Sequence, residues 1–200
     1  MSDSQSDERL HWRREDLYFN GDDFFDEVLR QIDLAQESVD LESYIFHHGQ
    51  TATRFLQKLN EAQHRGVRAR LLVDGLGSQT FIDSLQQAPK FEFRIFHPIK
   101  WTHLFFSPTF VALSWWPLAR RALLRVNRRT HRKICIIDGR IAFVSSMNIT
   151  DQHSKLESTK NFWRDTGVCV EGRGVSLLQY AFEHTWLRSH GLNRKRRFRD

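Results

Sequence analysis

The chain has 200 residues, 40% hydrophobic and 27% charged, with 30 Lys and Arg against 24 Asp and Glu. That length suits one domain with a full core, and that mixture suits a water-soluble α/β unit. The formal charge of +6 favours anionic partners, nucleic acid or acidic lipid headgroups, without separating the two.

Residues 1–16 are polar and lack periodicity, so a loose arm is expected there, extending to about residue 19. From Asp23 the spacing turns helical. Phe24, Phe25, Val28, Leu29, Ile32 and Ala35 share one face, and Asp22 or Asp23 is placed to cap it. Residues 39–46 alternate as a strand does, with Val39, Leu41, Ser43 and Ile45 on one side. A second helix carries Ala52, Phe55, Leu56, Leu59 and Ala62, and Gly66 falls where a C-terminal cap belongs. Residues 67–73 read as a strand ending in Asp74-Gly75-Leu76-Gly77-Ser78. That turn is either a phosphate cradle or a strand-end turn shaping the rim of a cleft. A short helix over 81–87 and a strand over 91–96 follow. The alternation predicts an α/β domain over 20–188, with a mixed, mostly parallel sheet and helices on both faces.

Residues 98–129 are both aromatic and basic. Trp101, Trp115 and Trp116 lie in an apolar run, and Arg120 and Arg121 open an arginine-rich stretch after it. No acidic residue occurs between Glu92 and Asp138. Spanning a bilayer takes about 20 continuous apolar residues, and His103, Ser107, Pro108 and Pro117 interrupt this run. An interfacial element is expected, with aromatics at headgroup depth and arginines on lipid phosphates. Packing into the core, with a solvated basic helix after it, is the alternative. In a nucleic-acid groove apolar and basic residues interleave, whereas here they are segregated.

Thr130 to Thr150 contains two short β-type runs, 134–137 and 141–144, broken at Asp138-Gly139 as in a tight hairpin. His131 and Lys133 are two apart at the start of the first run, which on a strand puts them on one face. Pairing of the runs returns Ser146 and Asn148 beside them. One nucleophile, one cation and two neutral hydrogen-bonding groups, with no metal-ligand set, suit a phosphodiester attacked by imidazole. After this stretch, 168–170 read as a strand, and 172–188 as a helix with Val175, Leu178, Phe182 and Trp186 inward. The basic residues 189–200 form a tail. Cys135 and Cys169 sit in apolar runs, so two buried free thiols are expected. Nothing near the N-terminus has the pattern of a secretion signal, so a cytoplasmic protein, peripheral on the cell membrane, is the reading.

His-x-Lys, four residues, Asp, six residues, then a small residue and Ser-x-Asn resembles the signature of the phospholipase D superfamily. It falls here on His131, Lys133, Asp138, Ser146 and Asn148, with Ser145 where the family usually has Gly. The pieces LESYIF, RGVRARLLVDGLGS and NFWRDTGVCVEG are similar to the opening half of bacterial cardiolipin synthases. By that resemblance His131 attacks phosphorus and carries a phosphohistidine, while Lys133 and Asn148, helped by Ser146, hold the phosphate oxygens. Asp138 belongs to the signature and is assigned to the strand turn rather than to proton transfer. Asp165 matches the carboxylate that orients the nucleophilic ring, with Glu42 as second choice; a strand-end salt bridge to an arginine is the alternative role for such a group. The reaction implied is phosphatidyl transfer on anionic phospholipid without metal or other cofactor. A dimeric phosphodiesterase acting on nucleic acid, or an inactive lipid-binding half, are the alternatives. Family members use two signatures facing each other. The second is expected from a symmetric partner chain or from the missing half of a longer protein, and His153-Ser154-Lys155 lacks the residues that would make it a copy.

Overall fold

The computed structural model describes residues 12–98, 129–158 and 162–191. Among these, eight strands form one sheet in the order β1-β7-β6-β5-β2-β3-β4-β8. In chain order the elements are β1 (Trp12–Tyr18), α1 (Gly21–Leu34), β2 (Ser38–Ser43), α2 (Gln50–His64), β3 (Arg68–Asp74), α3 (Gln79–Ser84) and β4 (Glu92–Phe96). Then come β5 (Ile134–Ile137), β6 (Ile141–Ser145), a 3-10 turn (Asp151–His153), β7 (Gly167–Gly172), α4 (Val175–Leu187) and β8 (His190–Gly191).

The α/β class and the mixed sheet are as the sequence implies, but the balance of the pairings is not. Only β2–β3 and β3–β4 are parallel, and the other five pairings are antiparallel. The reason is connectivity: helices separate β2, β3 and β4, whereas β5 and β6 are joined by a tight hairpin, which forces them antiparallel. Helices cover both faces. Phe24, Phe25, Val28, Leu29 and Ile32 of α1, with Ala52, Phe55 and Leu59 of α2, are buried against Val39, Leu41, Leu71, Cys135 and Phe143. On the other face Val175, Phe182 and Trp186 of α4 cover Leu72, Ile134, Ile136, Ala142 and Val170. A buried Arg70–Asp40 pair at 2.5 Å lies beneath α4, and Glu183 of that helix closes on the same guanidinium.

Three expectations at the edges of elements are corrected. The arm to residue 19 fails for Trp12–Tyr18, which is an edge strand antiparallel to β7. Its sequence, WRREDLY, alternates too weakly to read as a strand, and it is held by its ladder and by Trp12 packed against Gly174. The cap of α1 is Asn20, which accepts from the Asp23 N–H at 2.9 Å; Asp22 turns away to Ser154 and the Lys155 N–H. In the basic tail His190–Gly191 pairs with β4 as β8. Cys135 and Cys169 are free and buried. No described helix is long and apolar enough to cross a membrane.

The hairpin turn has positive φ at both Asp138 (52°) and Gly139 (62°), the backbone of a turn that follows strand twist. Asp138 does more than turn the chain. Its carboxylate accepts from the N–H groups of Gln36, Glu37 and Ser38 at 2.7–3.0 Å, tying the hairpin to the start of β2. That locks the register Val39↔Ile137 to Glu42↔Ile134, in which a one-residue slip would invert every side chain of β5. Replacing Asp138 by Ala strands three N–H groups, and an unfolding titration should show a loss of about 1–3 kcal/mol.

Candidate active site

The chemistry-bearing residues gather at the sheet edge formed by the C-terminal ends of β2, β3 and β6 and the N-terminal ends of β5 and β7. β5 begins only at Ile134, so His131 and Lys133 stand in the extended segment before it rather than on the strand. The ladder reaches one step further, with Ser145 N–H bonded to the Lys133 carbonyl at 3.2 Å. Alternation therefore persists. Arg132 turns to the α4 side, where it meets Glu42 and Thr185, while His131 and Lys133 face the other way.

Tyr44, which no motif in the sequence marks, fixes that pair. The His131 ring is exposed and stacks on the Tyr44 ring with centroids 4.0 Å apart and planes 29° apart. Lys133 Nζ lies 5.5 Å from the same ring and donates to the His131 carbonyl at 2.8 Å, which leaves its remaining N–H donors for a ligand. The Tyr44 backbone is held from behind: its carbonyl accepts from Ser78 Oγ at 3.1 Å, and Gly77 lets the turn after β3 approach it closely. In that turn Asp74 takes the N–H groups of Leu76 and Gly77 at 2.8 and 3.1 Å. Those donors are spent, so the turn supports the rim and is no phosphate cradle.

Asn148 is placed by a parallel bridge between 45–47 and 148–149. Ile149 N–H donates to the Ile45 carbonyl and the Ile149 carbonyl accepts from His47 N–H, both at 3.1 Å. Asn148 Oδ1 accepts from Ile45 N–H at 3.2 Å. The amide thereby turns its NH2, an anion donor, away from the backbone it is bonded to.

Asp165 and Ser146 find each other. The Ser146 hydroxyl donates to Asp165 Oδ1, and the hydroxyl oxygen receives the Thr166 N–H at 3.4 Å. A hydroxyl has one proton, so Ser146 as placed donates to Asp165 and not to a phosphate. The other carboxylate oxygen faces His153 Nδ1 at 3.6 Å. No hydrogen bond joins Asp165 to the His131 ring among the described residues. Glu42 is fully buried, accepts from Thr130 and Arg132, and has the strand-end salt bridge rather than a place beside His131. Asp138 lies at the far end of β5, four residues of strand away, and is not brought to the site. Trp101, Trp115, Trp116, Arg120 and Arg121 lie outside the described residues. Their segment leaves at Pro98 and returns at Arg129, whose Nη1 donates to the His97 carbonyl at 2.9 Å on this same edge.

Electrostatics follow placement. Burial pushes the Lys133 ammonium below the usual lysine value, opposed by the Asp165 carboxylate. A cavity of about 20 Å³ lies beneath Lys133, lined by Phe143, Met147 and Ile149 among others. It has room for about one water, so a substrate must approach from the open side where His131 stands. No group of three or more His, Cys, Asp or Glu side chains suited to a metal ion occurs among the described residues.

Imidazole, ammonium and amide on one edge of an α/β sheet are the groups that phosphodiester-handling proteins bring together. Residues 28–186 match the family described as the PLD-like domain of cardiolipin synthase, and the chain belongs to that family. It is 31% identical over 174 residues to a cardiolipin synthase of Clostridium perfringens, covering 86% of this chain and 33% of that protein. It is 35% identical over 184 residues to cardiolipin synthase 1 of Bacillus cereus, covering 88% and 32%. The chain thus spans about a third of the length of these curated relatives. Among solved structures, NucT from Helicobacter pylori superposes with a TM-score of 0.61 at 15% identity, over 90% of this chain and 99% of that one. Nuc, a phospholipase D family member from Salmonella typhimurium, superposes with a TM-score of 0.57 at 17% identity, over 89% and 98%. These last two establish the fold.

Burial lowers the pKa of His153 below the ordinary histidine value, with Lys133 acting the same way and Asp165 opposing. The folded ring therefore stays neutral where the unfolded ring, near 6.5, takes up a proton. Stability is fully present above about pH 6.5 and falls as pH drops, by at most about 1.4 kcal/mol per unit for this one proton. Thermal unfolding between pH 7.5 and 5 should show that slope, and His153→Gln should flatten it.

Proposed function

We propose that the chain is a phosphatidyl-transfer domain acting on anionic phospholipid through a phosphohistidine on His131. The carrying observation is the exposed His131 ring, stacked on Tyr44 beside the Lys133 ammonium and the Asn148 amide. An imidazole nitrogen attacks phosphorus in line with the leaving oxygen, forming P–N as P–O breaks. Lys133 and the Asn148 NH2 stabilise charge on the non-bridging oxygens of the pentacoordinate transition state. The leaving alkoxide takes a proton from a second imidazole. That imidazole then removes the proton of an acceptor alcohol, whose oxygen attacks phosphorus as P–N breaks.

The second imidazole belongs to another copy of the signature, in a partner chain or a further half of the same protein. Relatives three times longer than the matched region are consistent with the latter. The lipid assignment rests on those relatives at 31% and 35% identity, and on the aromatic and arginine-rich run whose two ends meet the catalytic edge. Membrane association through Trp101, Trp115, Trp116, Arg120 and Arg121 belongs to the same reading.

A second reading has its own observation. The chain aligns with nearly the full length of NucT and of Nuc, an extent that suits a symmetric pair of single-signature chains, and on that reading it is a dimeric phosphodiesterase acting on nucleic acid. An inactive lipid-binding half is the third.

Two measurements separate these. Incubation with a labelled phosphodiester should give an acid-labile, base-stable protein label, reduced about a thousandfold or more in His131→Ala, the scale expected for loss of a covalent nucleophile. Absence of label in the intact chain, alone and mixed with a second signature half, would leave only the binding reading. Flotation with anionic phospholipid vesicles, set against binding to an oligonucleotide, should favour the vesicles. Preference for the oligonucleotide would remove the lipid assignment.

A further inference from the structure

His153 lies outside the signature, yet it is 2% exposed and sits directly behind Asp165. Its Nδ1 has no hydrogen-bond partner, because the 3.6 Å to Asp165 Oδ2 is too long for one. A buried ring nitrogen left unpaired is costly, and here it is aimed at the one carboxylate that also receives the Ser146 hydroxyl. Ring and backbone are each held by a neighbour. Trp163 meets it edge-on with centroids 5.7 Å apart, and the His153 carbonyl presses against Gly21, where any side chain would collide.

Resting on the reading of this edge as a phosphodiester-handling site, we propose that His153 is a positioning residue. Its ring backs Asp165 with Nδ1 facing Oδ2 at 3.6 Å, so that closing this gap to a hydrogen bond fixes the carboxylate while Oδ1 keeps the Ser146 hydroxyl. Asp165 is the carboxylate in reach, and Lys133 is the cation. Asp22 of α1 is taken up by Ser154 and the Lys155 N–H, and Asp151 of the 3-10 turn by the N–H groups of Gln50 and Thr51. Asp165 is therefore the partner the ring has available, and a substrate phosphate arriving at Lys133 meets a carboxylate whose orientation His153 has set.

The test compares His153→Phe, which keeps the ring volume, with His153→Gln, which restores a polar atom, on the full chain. In single-turnover labelling of His131 by a labelled phosphodiester, His153→Phe should slow the step about 10- to 100-fold, the range seen for second-layer residues. His153→Gln should recover most of that loss. His153→Phe combined with Asp165→Asn should be no slower than Asp165→Asn alone, since both act through one group. An unchanged rate in His153→Phe overturns the proposal, as does a loss that tracks a lowered melting temperature without rescue by Gln. If the wild-type chain takes no label, the functional reading fails, and NMR titration of the His153 ring decides this proposal separately. The ring pKa should fall in Asp165→Asn, and an unmoved pKa would end the positioning role.

Discussion

Antiparallel pairing of β5 beside the parallel strand β2, in the register Glu42↔Ile134, is the constraint on which the site depends. It brings the end of one strand and the beginning of the other to the same edge, so that Tyr44, just past β2, meets His131, just before β5. The same hairpin returns Asn148 and Asp165 there through β6 and β7. A sheet with β2, β3 and β4 parallel already directs its loops to one edge; the inserted hairpin adds the reactive groups to it. What holds the register is at the opposite end, where the Asp138 carboxylate grips three N–H groups of the α1–β2 turn. The signature thus joins a clamp and a site by one four-residue strand.

Much of this was legible because periodicity and turn chemistry agreed with the tertiary outcome. The faces of α1 and α2, the Gly66 cap with φ of 88° and the Asp138-Gly139 turn all follow from local pattern. What could not be read is what depends on neighbours distant in sequence. β1 is polar because it is an edge strand facing water, so it carries no alternation to detect. Ser146 and Asp165 looked like servants of the phosphate and of His131, but they bond each other. Nothing in the spacing gives the direction of a hydroxyl proton. Tyr44 was hidden in an ordinary β-like hexapeptide, and its signal was there only in part: an aromatic at the end of a strand whose partner begins with His. His153 starts no second signature, and what distinguishes it, its burial behind Asp165, does not show in the sequence.

The site separates its tasks by side of the sheet. On the α4 side the buried Glu42 receives Thr130 and Arg132 on one carboxylate oxygen, with the Arg132 guanidinium 3.2 Å from the other. On the other side the imidazole of His131 is open to solvent, and Lys133 is half-buried next to it. Partial burial matters for the cation, because an ammonium with less water around it interacts more strongly with an arriving anion. Asp165 offsets that burial, keeping a charge balance at the edge before any substrate arrives.

Arg129 is fastened to the ends of β3 and β4, its Nη1 donating to the His97 carbonyl and approaching Asp74 at 3.5 Å. The buried Asp74 carboxylate thus serves two parts of the chain, the turn after β3 through the N–H groups of Leu76 and Gly77 and the segment entering β5 through Arg129. The rim that holds the Tyr44 carbonyl through Ser78 and the approach to His131 share that one anchor. A change at Asp74 would therefore reach Tyr44 and His131 together, from behind the stack they form.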